Sequence, residues 1–91
     1  MNDLIESRLA RFVEALDNMR PDDWFDAFAN ETRENGGSFD IPHGENWPAS
    51  HMAEISLHEV SGWGNTPADV MLNWHDAARE TLKGLSAQRA A

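Results

Sequence analysis

The 91-residue chain contains no cysteine. That absence excludes a disulfide framework, a thiolate zinc site and a cysteine nucleophile. It fits a reducing compartment, and the cytoplasm of a host cell is the expected location. Long apolar runs are missing too, and the opening MNDLIESRLARF lacks a basic-then-apolar layout. Neither a transmembrane span nor a signal peptide is expected. Cations are scarce: seven Lys and Arg stand against sixteen Asp and Glu, and no lysine precedes Lys83. A net charge of −9 repels nucleic acid and anionic membrane, since both depend on Lys and Arg to neutralise phosphates. Direct binding to either is not expected.

The negative charge is uneven. Residues 1–46 carry eleven carboxylates against four arginines, a balance of −7, and residues 47–91 carry five against three bases, −2. Such a field attracts a basic protein surface, including one that normally holds nucleic acid. The plainer reading is that acidity keeps a small domain soluble. One domain of this length has a thin core, so the four Trp and four Phe should supply much of the buried area. Chains this small often gain stability by self-association, and a homodimer is one expectation.

Hydrophobic spacing organises the rest. Ile5, Leu9, Phe12, Leu16 and Met19 alternate steps of four and three, which predicts an amphipathic helix over residues 2–19. Asn2 or Asp3 would cap it, and Pro21 would end it by Arg20. A second helix is predicted from Pro21, with Asp22 and Asp23 at the positive end of its dipole. Trp24, Phe25, Phe28 and Thr32 form its buried side, and Asn35-Gly36-Gly37 stops it. Ser38–Ile41 suggests a short edge strand bounded by Pro42, followed by a loop in which Trp47 would pin the chain to the body. His51–Leu57 alternates dry Ala53, Ile55 and Leu57 with wet Glu54, Ser56 and His58, the period of a half-buried strand. A turn or bulge is needed at Glu59-Val60, and Ser61–Gly64 suggests another short strand. Thr66-Pro67-Ala68-Asp69 opens a last helix, with Thr66 as cap. Its apolar side is Val70, Met71, Trp74, Ala77, Ala78, Thr81 and Leu82, with Gly84 as a stop and residues 86–91 as a frayed tail.

Catalytic and metal chemistry find little support in these residues. The histidines His43, His51, His58 and His75 form no HxxxH or HExxH pattern, and His51 and His58 fall on opposite faces of a strand. There is no GxSxG nucleophile elbow, and Gly62-Trp63-Gly64 is not followed by the lysine of a phosphate loop. No catalytic residue, metal ligand or cofactor is expected. The most negative stretch is Asp22, Asp23, Asp26, Glu31, Glu34, Asp40 and Glu45, set against Arg33. Carboxylates on successive helix turns repeat at about 5.4 Å, a crude likeness of a phosphate backbone, although acids on a helix are more often simply solvated. Trp63, between two glycines, is a candidate aromatic anchor; packing against the last helix is the alternative. Trp24 and Phe25 cannot point the same way on a helix, so one is open to a second chain.

The segment ISLHEVSGWGNTPADVMLNWHDAA resembles two groups of proteins. One is a set of small phage and prophage proteins sharing an EIxLxGV–xGxTxxEAxxNWxxAA pattern. Glu54, Ile55, Leu57, Val60, Gly64, Thr66, Asn73, Trp74, Ala77 and Ala78 match it; Glu59 and Asp69-Val70 depart from it. The other is the strand–GxT–helix half of HicB-like antitoxins, over about a third of the chain, without their DNA-binding tail or opening strands. The phage likeness implies an accessory product of a mobile element. Acidic phage proteins without enzyme motifs include anti-CRISPR proteins, which occupy basic nucleic-acid-binding surfaces of host defence complexes. That last likeness is one of kind and charge.

The expectation is therefore a single α+β domain in the order α–α–(β)–β–β–α: a helical hairpin beside a small antiparallel sheet packed on a C-terminal helix. Its expected role is non-enzymatic inhibition through a basic partner surface, such as that of a CRISPR effector complex. Asp22, Asp23, Asp26, Glu31 and Glu34 would steer docking, and Trp63 would anchor it. The alternative is a HicB-like antitoxin that neutralises a toxin through its sheet and final helix.

Overall fold

A computed structural model describes residues 3–40 and 53–90. The expectations placed on Asn2, the Asp3 and Ile5 side chains, Ile41, His43, Glu45, Trp47 and His51 fall outside the described residues. The first helix, α1, spans Asp3–Asp17. Leu9, Phe12, Val13 and Leu16 are its buried positions, and Met19 packs partly beneath its end. Arg20 is extended, with φ −71° and ψ 144°, as the ring of a following proline demands.

The second helix begins later than its sequence suggests. Pro21–Asp23 forms a single 3-10 turn, and α2 proper is Trp24–Asn35. Proline suits a first turn of either kind, but the Trp24 backbone N–H closes onto the Pro21 carbonyl, and that shorter loop tightens the start. Gly36, with φ 78°, ends α2 and donates its N–H to the Thr32 carbonyl. A left-handed residue there is what a glycine C-cap supplies.

Three antiparallel strands follow in the order β1 (Ser38–Asp40), β2 (Ala53–Leu57) and β3 (Val60–Gly64). The expected alternation holds within β2, where Ala53, Ile55 and Leu57 are buried, but His58, expected on the wet face, lies beyond the strand with its side chain 3% exposed. The break in phase, expected at Glu59-Val60, comes one residue earlier, as a two-residue hairpin turn at His58-Glu59, both with positive φ (53° and 64°), and Val60 already belongs to β3. That is the mirror-image turn whose twist suits a tight hairpin. On β3 the inward positions are Val60, Gly62 and Gly64. A Cβ on Gly62 would sit 2.6 Å from the Trp74 backbone nitrogen, and one on Gly64 would sit 2.4 Å from that of Val70. These glycines let the last helix lie directly on β3.

The last helix, α3, runs Pro67–Ala90. Thr66 caps it as expected, its Oγ1 accepting the Asp69 N–H at 3.0 Å. Gly84 does not stop it, and residues 86–90, expected as part of a frayed tail, continue the helix. Nothing approaches Gly84 within 4 Å, and a lone glycine costs a helix only about 1 kcal/mol against alanine. Strong formers (Leu85, Ala87, Gln88, Arg89) follow, so propagation outweighs that cost. The core is shared by all layers. Trp74, fully buried, lies edge-on to Phe28 (5.2 Å) and Phe12 (5.6 Å), which meet each other at 5.1 Å. Its indole N–H donates to the Val60 carbonyl at 2.9 Å. The chain is thus α+β, with the helices on one face of the sheet.

Candidate protein-docking surface

The acids singled out from the sequence divide into two sets. Asp22, Asp23, Asp26 and Glu34 are exposed, and none forms an ion pair with another described residue. The inward side of α2 is taken by Phe28 and Thr32, which turns Asp26 and Glu34 outward. Asn30 lies between them on the same row and accepts a hydrogen bond from Arg33. That bond holds the Arg33 guanidinium on the row that carries Asp26 and Glu34.

Glu31 is arranged differently. Its Oε2 lies 2.6 Å from Nε2 of His58, whose side chain is 3% exposed. The contact ties α2 to the hairpin turn between β2 and β3, with the imidazole also edge-on to Phe12 at 6.2 Å. Glu31 therefore has a partner inside the fold, and its structural role is to hold the turn. A second pair of this kind joins His75 on α3 to Asp17 at the end of α1, at 2.8 Å. Sequence reasoning found neither pair. Their partners are 27 and 58 residues apart, and no local pattern signals such contacts.

Trp63 is 50% exposed. It alternates with the inward Gly62 and Gly64, opposite Glu54 of β2, so it stands on the sheet face away from the helices. It does not share a surface with the outward acids of α2. Its carbonyl accepts a hydrogen bond from the Asn73 amide at 2.7 Å, which blunts part of the β3 edge.

Two aromatics, Trp24 and Phe25, stand between Asp23 and Asp26, and Trp24 is the one that packs toward α3. Its indole N–H donates to the Leu16 carbonyl at 3.1 Å, and its ring lies tilted against His75 at 5.1 Å. Phe25 turns the other way, onto Phe39 at 5.2 Å. The outer side of Trp24 lines an apolar groove of about 250 Å³ with Pro21, Ala68, Met71 and Leu72. A larger, more polar hollow of about 380 Å³ lies over the hairpin turn beside Arg8, Ser56 and His58.

His58 and His75 direct Nε2 at carboxylates, and the Ser56 and Ser61 hydroxyls pair with each other at 3.3 Å. No described serine is bonded to an imidazole, the contact that activates a nucleophile. No group of three possible metal ligands gathers among the described residues, and no helix among them is long and apolar enough to cross a membrane. Comparison with family models, curated proteins and solved structures finds no match. None of these comparisons supports the phage or antitoxin likeness expected from residues 54–78.

Proposed function

We propose that this chain is a non-enzymatic inhibitor of phage or mobile-element origin. It binds a basic, nucleic-acid-holding surface of a host defence complex, as anti-CRISPR proteins do. The observation that supports this reading is the set of outward carboxylates at Asp22, Asp23, Asp26 and Glu34, exposed and without ion-pair partners among the described residues. Unpaired charge of one sign accelerates encounter with a cationic surface and orients it. The test is displacement of labelled target DNA from a purified CRISPR effector complex. The protein should bind the complex and release the DNA, and the Asp22→Lys, Asp23→Lys, Asp26→Lys triple variant should do neither. A folded protein that leaves the complex loaded and unbound overturns the proposal.

The second reading, an antitoxin-like partner that covers a toxin, draws on Trp63. A half-exposed tryptophan on an open sheet face is the kind of residue that anchors interfaces. Under that reading Trp63→Ala weakens binding to the toxin, while the triple lysine variant binds normally.

A further inference from the structure

We propose that the groove between the Pro21–Trp24 corner and the first two turns of α3 receives one bulky apolar side chain from a basic partner segment. This inference rests on the docking role above and adds where, and by what, the partner is held. The groove is lined by Pro21, Trp24, Ala68, Met71 and Leu72, all apolar. Leu72 is 52% exposed at its lip, and the volume of about 250 Å³ has room for one large side chain.

The rim selects the charge of that segment. Asp22 and Asp23 lie between Pro21 and Trp24, and Asp76 is one helical turn beyond Leu72. All three are exposed, and none is ion-paired among the described residues. Arg20 is the one Lys or Arg in residues 20–26 and 67–76. An apolar floor within an anionic rim is complementary to a leucine, methionine or phenylalanine flanked by Lys or Arg. The same side chain flanked by acids would be repelled.

The wall is also set before a partner arrives. Trp24 is held from behind by its bond to the Leu16 carbonyl and by His75, which is itself held by Asp17. A pre-positioned aromatic wall reduces the ordering cost of binding. It is this rigidity, with the surrounding carboxylates, that separates the groove from a scatter of exposed apolar residues.

The test is a titration of isotope-labelled protein, followed by amide and indole NMR shifts, with three synthetic peptides. The first carries a central phenylalanine between arginine pairs, the second serine in place of the phenylalanine, and the third glutamates in place of the arginines. The phenylalanine–arginine peptide should bind at least about tenfold more tightly than the serine peptide, as burial of an aromatic side chain implies. Its shifts should centre on the Trp24 indole, Ala68, Met71 and Leu72, and the glutamate peptide should not bind. Ala68→Phe, which plugs the groove without touching a carboxylate, should erase the preference for phenylalanine while leaving weak, salt-sensitive binding of both basic peptides. Asp22→Asn with Asp23→Asn should weaken both alike. Equal binding of the phenylalanine and serine peptides overturns the groove and leaves the acidic flank standing. Binding of the glutamate peptide as tightly as the arginine one overturns the charge selection. No binding of any peptide, or concentration-dependent groove shifts in the protein alone, overturns the inference, the latter in favour of a second copy. The docking role itself stands or falls separately, on displacement of DNA from the effector complex.

Discussion

Replacing Gly62 with alanine should cost this small domain a large share of its stability. The new Cβ would lie 2.6 Å from the Trp74 backbone nitrogen, 2.7 Å from its Cα and 2.9 Å from its Cβ. Ordinary carbon contacts lie at about 3.5–4.0 Å, so α3 must retreat from β3 by about 1 Å. None of the three atoms belongs to a flexible side-chain tip that could swing aside. A gap of that size forfeits about a quarter to a half of each neighbouring contact, and the neighbours are Val70, Trp74 and Ala78, all fully buried. Overpacking of this kind costs about 1–3 kcal/mol, and the backbone clash places Gly62 at the upper end. Gly62 is not among the positive-φ residues, so alanine meets no conformational bar there. It also restricts the unfolded chain, which returns about 0.4–1 kcal/mol. The net loss is about 2 kcal/mol, against a total of about 5–15 kcal/mol for a domain. Urea unfolding followed by tryptophan fluorescence and far-ultraviolet circular dichroism measures it. With a slope of about 1 kcal/mol/M, the midpoint should fall by about 2 M with the slope unchanged. A variant within about 0.5 kcal/mol of the parent, the range of ordinary surface substitutions, would refute the close-approach reasoning.

Three further substitutions probe other parts of the fold. Gly84→Ala, inside α3 with nothing within 4 Å of the new methyl, should raise stability by about 1 kcal/mol; a loss would mean that the helix does not continue through this position. Glu59→Gly should raise the urea midpoint by an amount corresponding to about 1 kcal/mol, because Glu59 is exposed at φ 64°, where a Cβ is disfavoured. Lowered stability would contradict the mirror-image turn. Glu31→Ala should lower stability by about 1–3 kcal/mol by leaving the nearly buried His58 imidazole without its partner, as measured by thermal or urea unfolding. No change would show that the contact does not hold the turn.

Much of the architecture was legible because its signals are local. The spacing of Leu9, Phe12 and Leu16 on one stripe, the alternation through Ala53, Ile55 and Leu57, and the Thr66-Pro67 helix start each fit within a few residues. Among the boundaries that moved, those at Pro21 and Gly84 were governed by closure of a tighter turn and by the modest cost of one glycine, while α1 ends at Asp17 and the hairpin turn falls one residue early, at His58-Glu59. What the local pattern did not carry is the way distant segments meet. The glycines of β3 are required by α3, and Glu31 is drawn inward by His58 from another element. The groove exists only where the Pro21 corner meets Ala68, Met71 and Leu72. Trp63 illustrates the same point. Its exposure follows from alternation with Gly62 and Gly64, but its separation from the α2 acids follows from which sheet face the helices cover.

The account depends most on docking driven by unpaired carboxylates. Its most direct test is the affinity of the parent and of the Asp22→Lys, Asp23→Lys, Asp26→Lys variant for an immobilised CRISPR effector complex across a salt series. The account predicts tight binding at low salt, a steep loss as salt rises, and a variant that binds far more weakly with a flatter salt dependence. Binding by the parent that ignores both salt and the three lysines would contradict it.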